Sequence, residues 1–221
     1  MAICSLPALM RRDDAVPSDS NTAVYSAYTV VIDAGHGGED GGAVGADGTY
    51  EKDINLKIAF LLRDMLESNG IKTVMTRETD ILLYDRSVNF KGRKKVLDLA
   101  ARLKIGKETE NSIFVSIHMN AFPQTQYSGL QVWYSKNDER SADIAELIQK
   151  NVAESLQPDN TRKTKAASSN IFLLDRAEYP AVLIECGFLS NTSECALLNT
   201  EEYRQKLAFT IFMSLSEFIS G

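Results

Sequence analysis

Apolar positions alternate along this chain between short β-branched runs and longer stripes at helical spacing. Tyr28 to Asp33, YTVVID, suits a buried central strand. After a glycine-studded stretch, Asp53 is placed to cap a helix. Its stripe of Ile54, Ile58, Leu61, Leu62, Met65 and Leu66 follows the 3.6-residue period, and Gly70 ends it as a left-handed C-cap. Ile71 to Thr76 reads as the next strand, so strand, helix, strand implies a right-handed parallel crossover. A long helix interrupted near Gly92 is expected over Tyr84 to Ile105, then strands over Ser112 to Ile117 and Gly129 to Ser135, and a helix from Asp138 to Leu156. Residues 157 to 170 break the periodicity as a mobile basic loop, either a plain connection or a rim of the cleft, ahead of a strand pair around Phe172 and Leu183. Ala181 to Ile184 is an apolar strand closed by Glu185, and Glu201 to Ile219 is the last helix. The expected architecture is three-layer α/β, a mostly parallel twisted sheet with helices on both faces.

At 221 residues and 44% hydrophobic composition the chain can bury a real core. One domain is expected over residues 28 to 221, with the polar segment 1 to 27 as a flexible tether. A formal net charge of -6 argues against a nucleic-acid partner. The opening MAICSLPALMRR falls short of the roughly 18 apolar residues a membrane span needs and carries its charge on the wrong flank for a signal peptide, so an export signal or anchor is expected outside this sequence. Cys4, Cys186 and Cys195 do not make a disulfide framework and read as free thiols. Cys186, next to Glu185, is either a thiolate metal ligand or a small packed thiol.

The chemistry concentrates in VVIDAGHGGEDGGAVGADGTYEKDIN, residues 30 to 55, where His36 stands among Asp33, Glu39, Asp40, Asp47 and Glu51. The second histidine of the chain, His118, closes the apolar run SIFVSIH. Both fall at expected strand ends, where open α/β sheets gather ligand and catalytic groups. Two imidazoles and a carboxylate form a catalytic zinc set that leaves a position open for water; the alternative is that His36 and His118 are ordinary strand-end residues satisfied by backbone hydrogen bonds. Glu51 lies just before the expected helix start, where the positive helix end favours a carboxylate. On spacing alone Glu51 and Glu185 exchange the roles of ligand and base, and Glu185 could instead cap a turn or pair with an arginine. Asn120 is placed either to hold substrate or to form a turn, and Asp33 to support an imidazole. The basic stretch GRKKVLDLAARLKIGK reads as a solvated helix face, a dedicated polymer-binding site being the alternative.

IDAGHGG followed by EKDINL, the strand-end SIHMNA, and AVLIECGFLSN resemble, in order and over residues 28 to 219, the zinc-dependent N-acetylmuramoyl-L-alanine amidases. Any one motif alone would be weak; the three in order are highly specific. The resemblance implies that His36, Glu51 and His118 bind Zn2+, that Glu185 is the catalytic carboxylate, and that the substrate is peptidoglycan, glycan strands bearing stem peptides. It implies action outside the cytoplasm, in the cell wall or spore cortex, and raises an activating protein partner. Ala34 stands where many members have proline, which bears on loop stiffness and not on ligation. The compact chain with its VLDLAARLKI segment is similar to sporulation-type amidases that prepare cortex peptidoglycan. The rival readings are a non-catalytic peptidoglycan-binding module of the same fold and a zinc peptidase cutting within the stem peptide.

Overall fold

The computed structural model describes residues 27–85, 87 and 91–221. Among them are the strands β1 Thr29–Ala34, β2 Lys72–Met75, β3 Ser112–Asn120, β4 Gln131–Tyr134, β5 Lys165–Ala166 and β6 Ala181–Phe188. The helices are α1 Glu51–Ser68, α2 Lys94–Glu108, α3 Arg140–Ser155, α4 Phe172–Arg176, α5 Thr192–Leu198 and α6 Glu201–Ser220. The strands form one sheet in the order β2-β1-β3-β6-β4-β5, parallel throughout except for β4 against β6.

Successive side chains of a strand point to opposite faces, and this sorts the core into two layers. Val30 and Ile32 of β1, Ile113, Val115 and Ile117 of β3, and Val182 and Ile184 of β6 pack on one face against Ile54, Ile58 and Leu62 of α1, Ile148 of α3 and Ile211 of α6. Val31, Phe114, Ala181 and Leu183 face the other way, onto Leu99 and Leu103 of α2 and Leu173 and Leu174 of α4. Each fully buried Leu, Ile or Phe contributes about 1.5–3 kcal/mol, and these two clusters hold the three layers together. By the same alternation Asp33, Ser116, His118 and Glu185 belong to the α2/α4 face.

Helix α1 begins at Glu51 itself. Its N-cap is Tyr50, without a side-chain cap bond, and Asp53 lies exposed in the first turn rather than capping it. The loop explains this: the Glu51 and Lys52 amides donate to the carbonyls of Ala43 (2.9 Å) and Gly41 (3.2 Å), so the helix start needs no capping side chain. The other end is as expected. Gly70 has φ 76, and the amides of Gly70 and Ile71 donate to Glu67 and Leu66, each at 3.0 Å, a Schellman closure.

Other expectations need correction. The helix expected from Tyr84 begins only at Lys94. The Asp85 side chain instead accepts from the Ser87 amide, and Lys91 and Gly92 take positive φ, local turn chemistry that competes with a helix. Phe172 lies in α4, stacked under the Arg176 guanidinium at 4.0 Å, and not in a strand. Residues 157–170 contain β5 and are tied down by Asn160 and Arg162, which donate to the carbonyls of Leu130 and Ser128. His118 and Glu185 lie inside β3 and β6 rather than just past their ends. The tether up to Ser26, and Cys4 with it, lies outside the described residues. Cys186 and Cys195 are free and buried, and among the described residues no helix is long and apolar enough to cross a membrane.

Candidate metal centre

His36 follows β1 by two residues and sits at φ 62, a left-handed conformation that few side chains other than Asn, Asp and His adopt readily. There its ring centroid lies 4.9 Å from that of His118 on β3. Glu51 approaches both from the first turn of α1, because it continues the buried stripe of Ile54, Asn55 and Ile58. His36 Nε2 is 3.2 Å and His118 Nδ1 2.9 Å from the same oxygen, Glu51 Oε1. The ligating atoms of the three residues all lie within 4.8 Å of one another, and the trio could hold a metal ion. Two glycines make this approach possible. A Cβ on Gly35 would fall 2.3 Å from the His118 ring, and one on Gly42 would fall 2.4 Å from Glu51 Oε2.

Glu51 is anchored from several directions. Its Oε1 accepts from the Met119 amide (3.0 Å) and its Oε2 from the Ala43 amide (2.8 Å). Burial alone would raise its pKa, but hydrogen bonds from His118 and His36, and their charge, outweigh it and hold the carboxyl far below the usual range. His118 answers in the opposite sense: burial lowers its pKa, and its bond to Glu51 more than restores it. Asp40 Oδ1 lies 3.0 Å from His36 Nδ1 but outside hydrogen-bond alignment. Asp33, expected beside an imidazole, instead accepts from Thr76 Oγ1 (2.8 Å), Arg102 Nη1 (2.7 Å) and Ser116 Oγ (2.6 Å).

Glu185 pairs directly with His118 in the parallel register of β3 and β6. It lines a cleft of about 240 Å³ together with His36, His118, Asp40, Phe172 and Leu183. Its Oε2 is buried and has no hydrogen-bond partner among the described residues. Burial pushes the carboxyl up to about 7 against the pull of His118; the Glu51 charge adds to the rise and His36 opposes it. Such a group suits proton transfer near neutral pH. Cys186 turns to the opposite face, into the α1 layer, where it packs as a small buried thiol and burial pushes its pKa up.

Asn120 ends β3 half-buried, opposite Phe188, after an irregularity that puts one extra residue on β6. It is not among the residues lining the cleft with His118 and Glu185. Reading the sequence missed Asn55, Arg77 and Arg102. Asn55, one turn along α1 from Glu51, donates to the Gly35 carbonyl (3.1 Å); the 51/55 helical spacing was its available signal.

Residues 30–217 match the family described as N-acetylmuramoyl-L-alanine amidase. The chain belongs to this family. Amidases of this kind are hydrolases, and similar relatives span most of the sequence. The germination-specific N-acetylmuramoyl-L-alanine amidase of Bacillus subtilis is 37% identical over 195 residues, 88% of this chain and 81% of that protein. The structure of the CwlD amidase from Clostridioides difficile, in complex with the GerS lipoprotein, is 40% identical with a TM-score of 0.82, covering 87% of this chain and 98% of that one. The catalytic domain of CwlV, an amidase from Bacillus (Paenibacillus) polymyxa var. colistinus, superposes with a TM-score of 0.73 at 30% identity, covering 87% and 98%. The two solved amidase structures share this fold.

Proposed function

We propose that this amidase is zinc-dependent, that His36, Glu51 and His118 hold the ion, and that Glu185 moves the protons as the bond between N-acetylmuramic acid and the L-alanine of the stem peptide is cut. The observation that carries the reading is the convergence of His36 Nε2 and His118 Nδ1 on one oxygen of Glu51, beside the unpartnered Oε2 of Glu185. The donor set fits zinc, which takes imidazole nitrogen and carboxylate oxygen and in catalytic sites has three protein ligands and one open position. When bound, the ion supplies an acidified water and polarises the scissile carbonyl.

The chain supplies the rest. Glu185, near neutrality and free of hydrogen bonds at Oε2, accepts the proton from the attacking water and delivers it to the departing nitrogen of L-alanine. Asn120, which ends β3, is the residue proposed to contact the substrate, from outside the cleft that His118 and Glu185 line. Residues 28 to 221 act as the catalytic domain and 1 to 27 as its tether. Because peptidoglycan lies outside the cytoplasm, the enzyme works there. The likeness to a germination-specific relative and to CwlD supports spore cortex as the substrate, and the GerS complex of the latter supports an activating lipoprotein partner.

The test is metal content of the purified protein together with mass analysis of peptidoglycan digests. Stoichiometric zinc and free peptides beginning at L-alanine are expected. Cuts within the stem peptide would replace the amidase reading with a peptidase, and a protein that refuses zinc when supplied would overturn the ligand assignment.

A further inference from the structure

We propose that the buried arginines Arg102 and Arg77 are positioning residues for the metal centre: they grip the backbone that carries His36 and so set the affinity of the site for its ion. This rests on the reading of His36 as a ligand.

Where β1 ends, its last carbonyls leave the sheet ladder. The two guanidiniums take them in order. Arg102 donates from Nη1 to the Ala34 carbonyl (2.8 Å) and from Nη2 to the His36 carbonyl (2.7 Å). Arg77 donates from Nε to the Ala34 carbonyl (2.8 Å) and from Nη2 to those of Gly35 (3.0 Å) and Lys52 (2.8 Å). Three consecutive carbonyls, and the first turn of α1 that carries Glu51, are thus held by two side chains that are only 1% and 2% exposed.

Burying two cations this close is costly, and part of that cost goes unrelieved by ion pairing. Arg102 is balanced by Asp33 (2.7 Å) and Asp98 (2.8 Å). Among the described residues Arg77 donates to carbonyls alone, those above and that of Thr79 (3.1 Å). What the expense secures is geometry. His36 at φ 62 lies in the left-handed region, and the two guanidiniums hold the carbonyls on the turn that puts it there. A planar guanidinium holds two carbonyls at once in a set orientation, which a lysine ammonium does not. Asp98 extends the grip by also accepting from the Leu83 amide (2.6 Å). With the grip loosened, the His36 backbone relaxes and its imidazole leaves Glu51.

A merely structural arginine would lower stability and leave the folded protein's metal affinity alone, and the experiment separates the two. Arg102→Lys and Arg77→Lys are made in the full chain, with Ile148→Val, in the core of the α1 face, as a variant that lowers stability only. Zinc affinity of the folded, metal-stripped proteins is measured by competition with a chromophoric chelator, alongside thermal unfolding and turnover at excess zinc. The expected result is about 10- to 100-fold weaker zinc binding in the arginine variants, the usual effect of losing support around a ligand. Turnover should recover at excess zinc, and Ile148→Val should bind zinc as the parent does. Arginine variants that melt earlier yet bind zinc with unchanged affinity would overturn the proposal. If Arg102→Lys does not fold, Arg77→Lys alone decides by the same criterion. A parent protein that takes up no zinc would fail the ligand reading itself, a result distinct from equal affinities in parent and variants.

Discussion

Glu185 on β6 and His118 on β3 are register partners across a parallel strand pair. Parallel neighbours sit about 4.8 Å apart, so the sheet ladder itself sets the distance from the carboxyl to His118. Glu185→Gln keeps shape and volume at a position where Oε2 makes no hydrogen bond. It should therefore leave fold and zinc content intact while lowering turnover by about 10²- to 10⁴-fold. Muropeptide release and metal analysis on the same preparation check this; unimpaired turnover would remove Glu185 from the mechanism.

Replacing His36 or His118 with Ala takes one of three donors from the trio. Each variant should emerge from dialysis with far less than one zinc per chain. A chelator should silence the parent enzyme and added zinc restore it. Stoichiometric zinc in either variant would mean that the ion sits elsewhere.

Gly42 and Gly48 both have positive φ, but only Gly42 has Glu51 and His36 within reach of an added Cβ. Gly48→Ala should cost about 1 kcal/mol of backbone strain and keep its metal. Gly42→Ala should cost about 1–3 kcal/mol, a fall in Tm of roughly 2–4 °C per kcal/mol in a domain of this size, and weaken zinc binding as well. Equal behaviour of the two in a thermal melt and a zinc titration would contradict the close packing around Glu51.

Asp33 gives a pH dependence with a definite sign. Burial raises its pKa, but Arg102 and the Ser116 hydroxyl outweigh that and bring it below the ordinary 3.8. The folded state thus binds this proton more weakly than the unfolded chain. The resulting stabilisation is present above pH 3.8 and fades as pH falls through the lower folded value. Urea unfolding midpoints at several acidic pH values should show the fade in the parent. Asp33→Asn should lack it and, by leaving Arg102 with one carboxylate partner fewer, lose about 3–5 kcal/mol at neutral pH. The same acid slope in both proteins would assign it to other carboxyls.

The sheet was legible in the sequence because its central strands are buried on both faces and therefore read as unbroken apolar runs. His36 and His118 stood out as the only two histidines, and motif order assigned the roles of Glu51 and Glu185. The support around them was hidden. Helix α2 buries Asp98, Arg102 and Gly106 at four-residue spacing, a polar stripe facing the sheet. A reading that looks for apolar stripes assigns those charges to water. Only β1 lying beside α2 shows that Arg102 meets Asp33 and the His36 carbonyl. The first turn of α1 was misplaced for a related reason: carbonyls of the glycine loop do the work of a cap, and no side chain announces it.

The order in which the chain can assemble follows from the sheet. β6, which brings Glu185, is inserted between β3 and β4 although it is the last strand to leave the ribosome. Such long-range parallel pairing is slow, since the entropy of closing large loops comes due before the contacts reward it. The centre cannot be complete until that late strand docks, so a nascent or truncated chain carries histidines and carboxylates without a working cleft. Hydrolytic power thus arrives only with the finished fold.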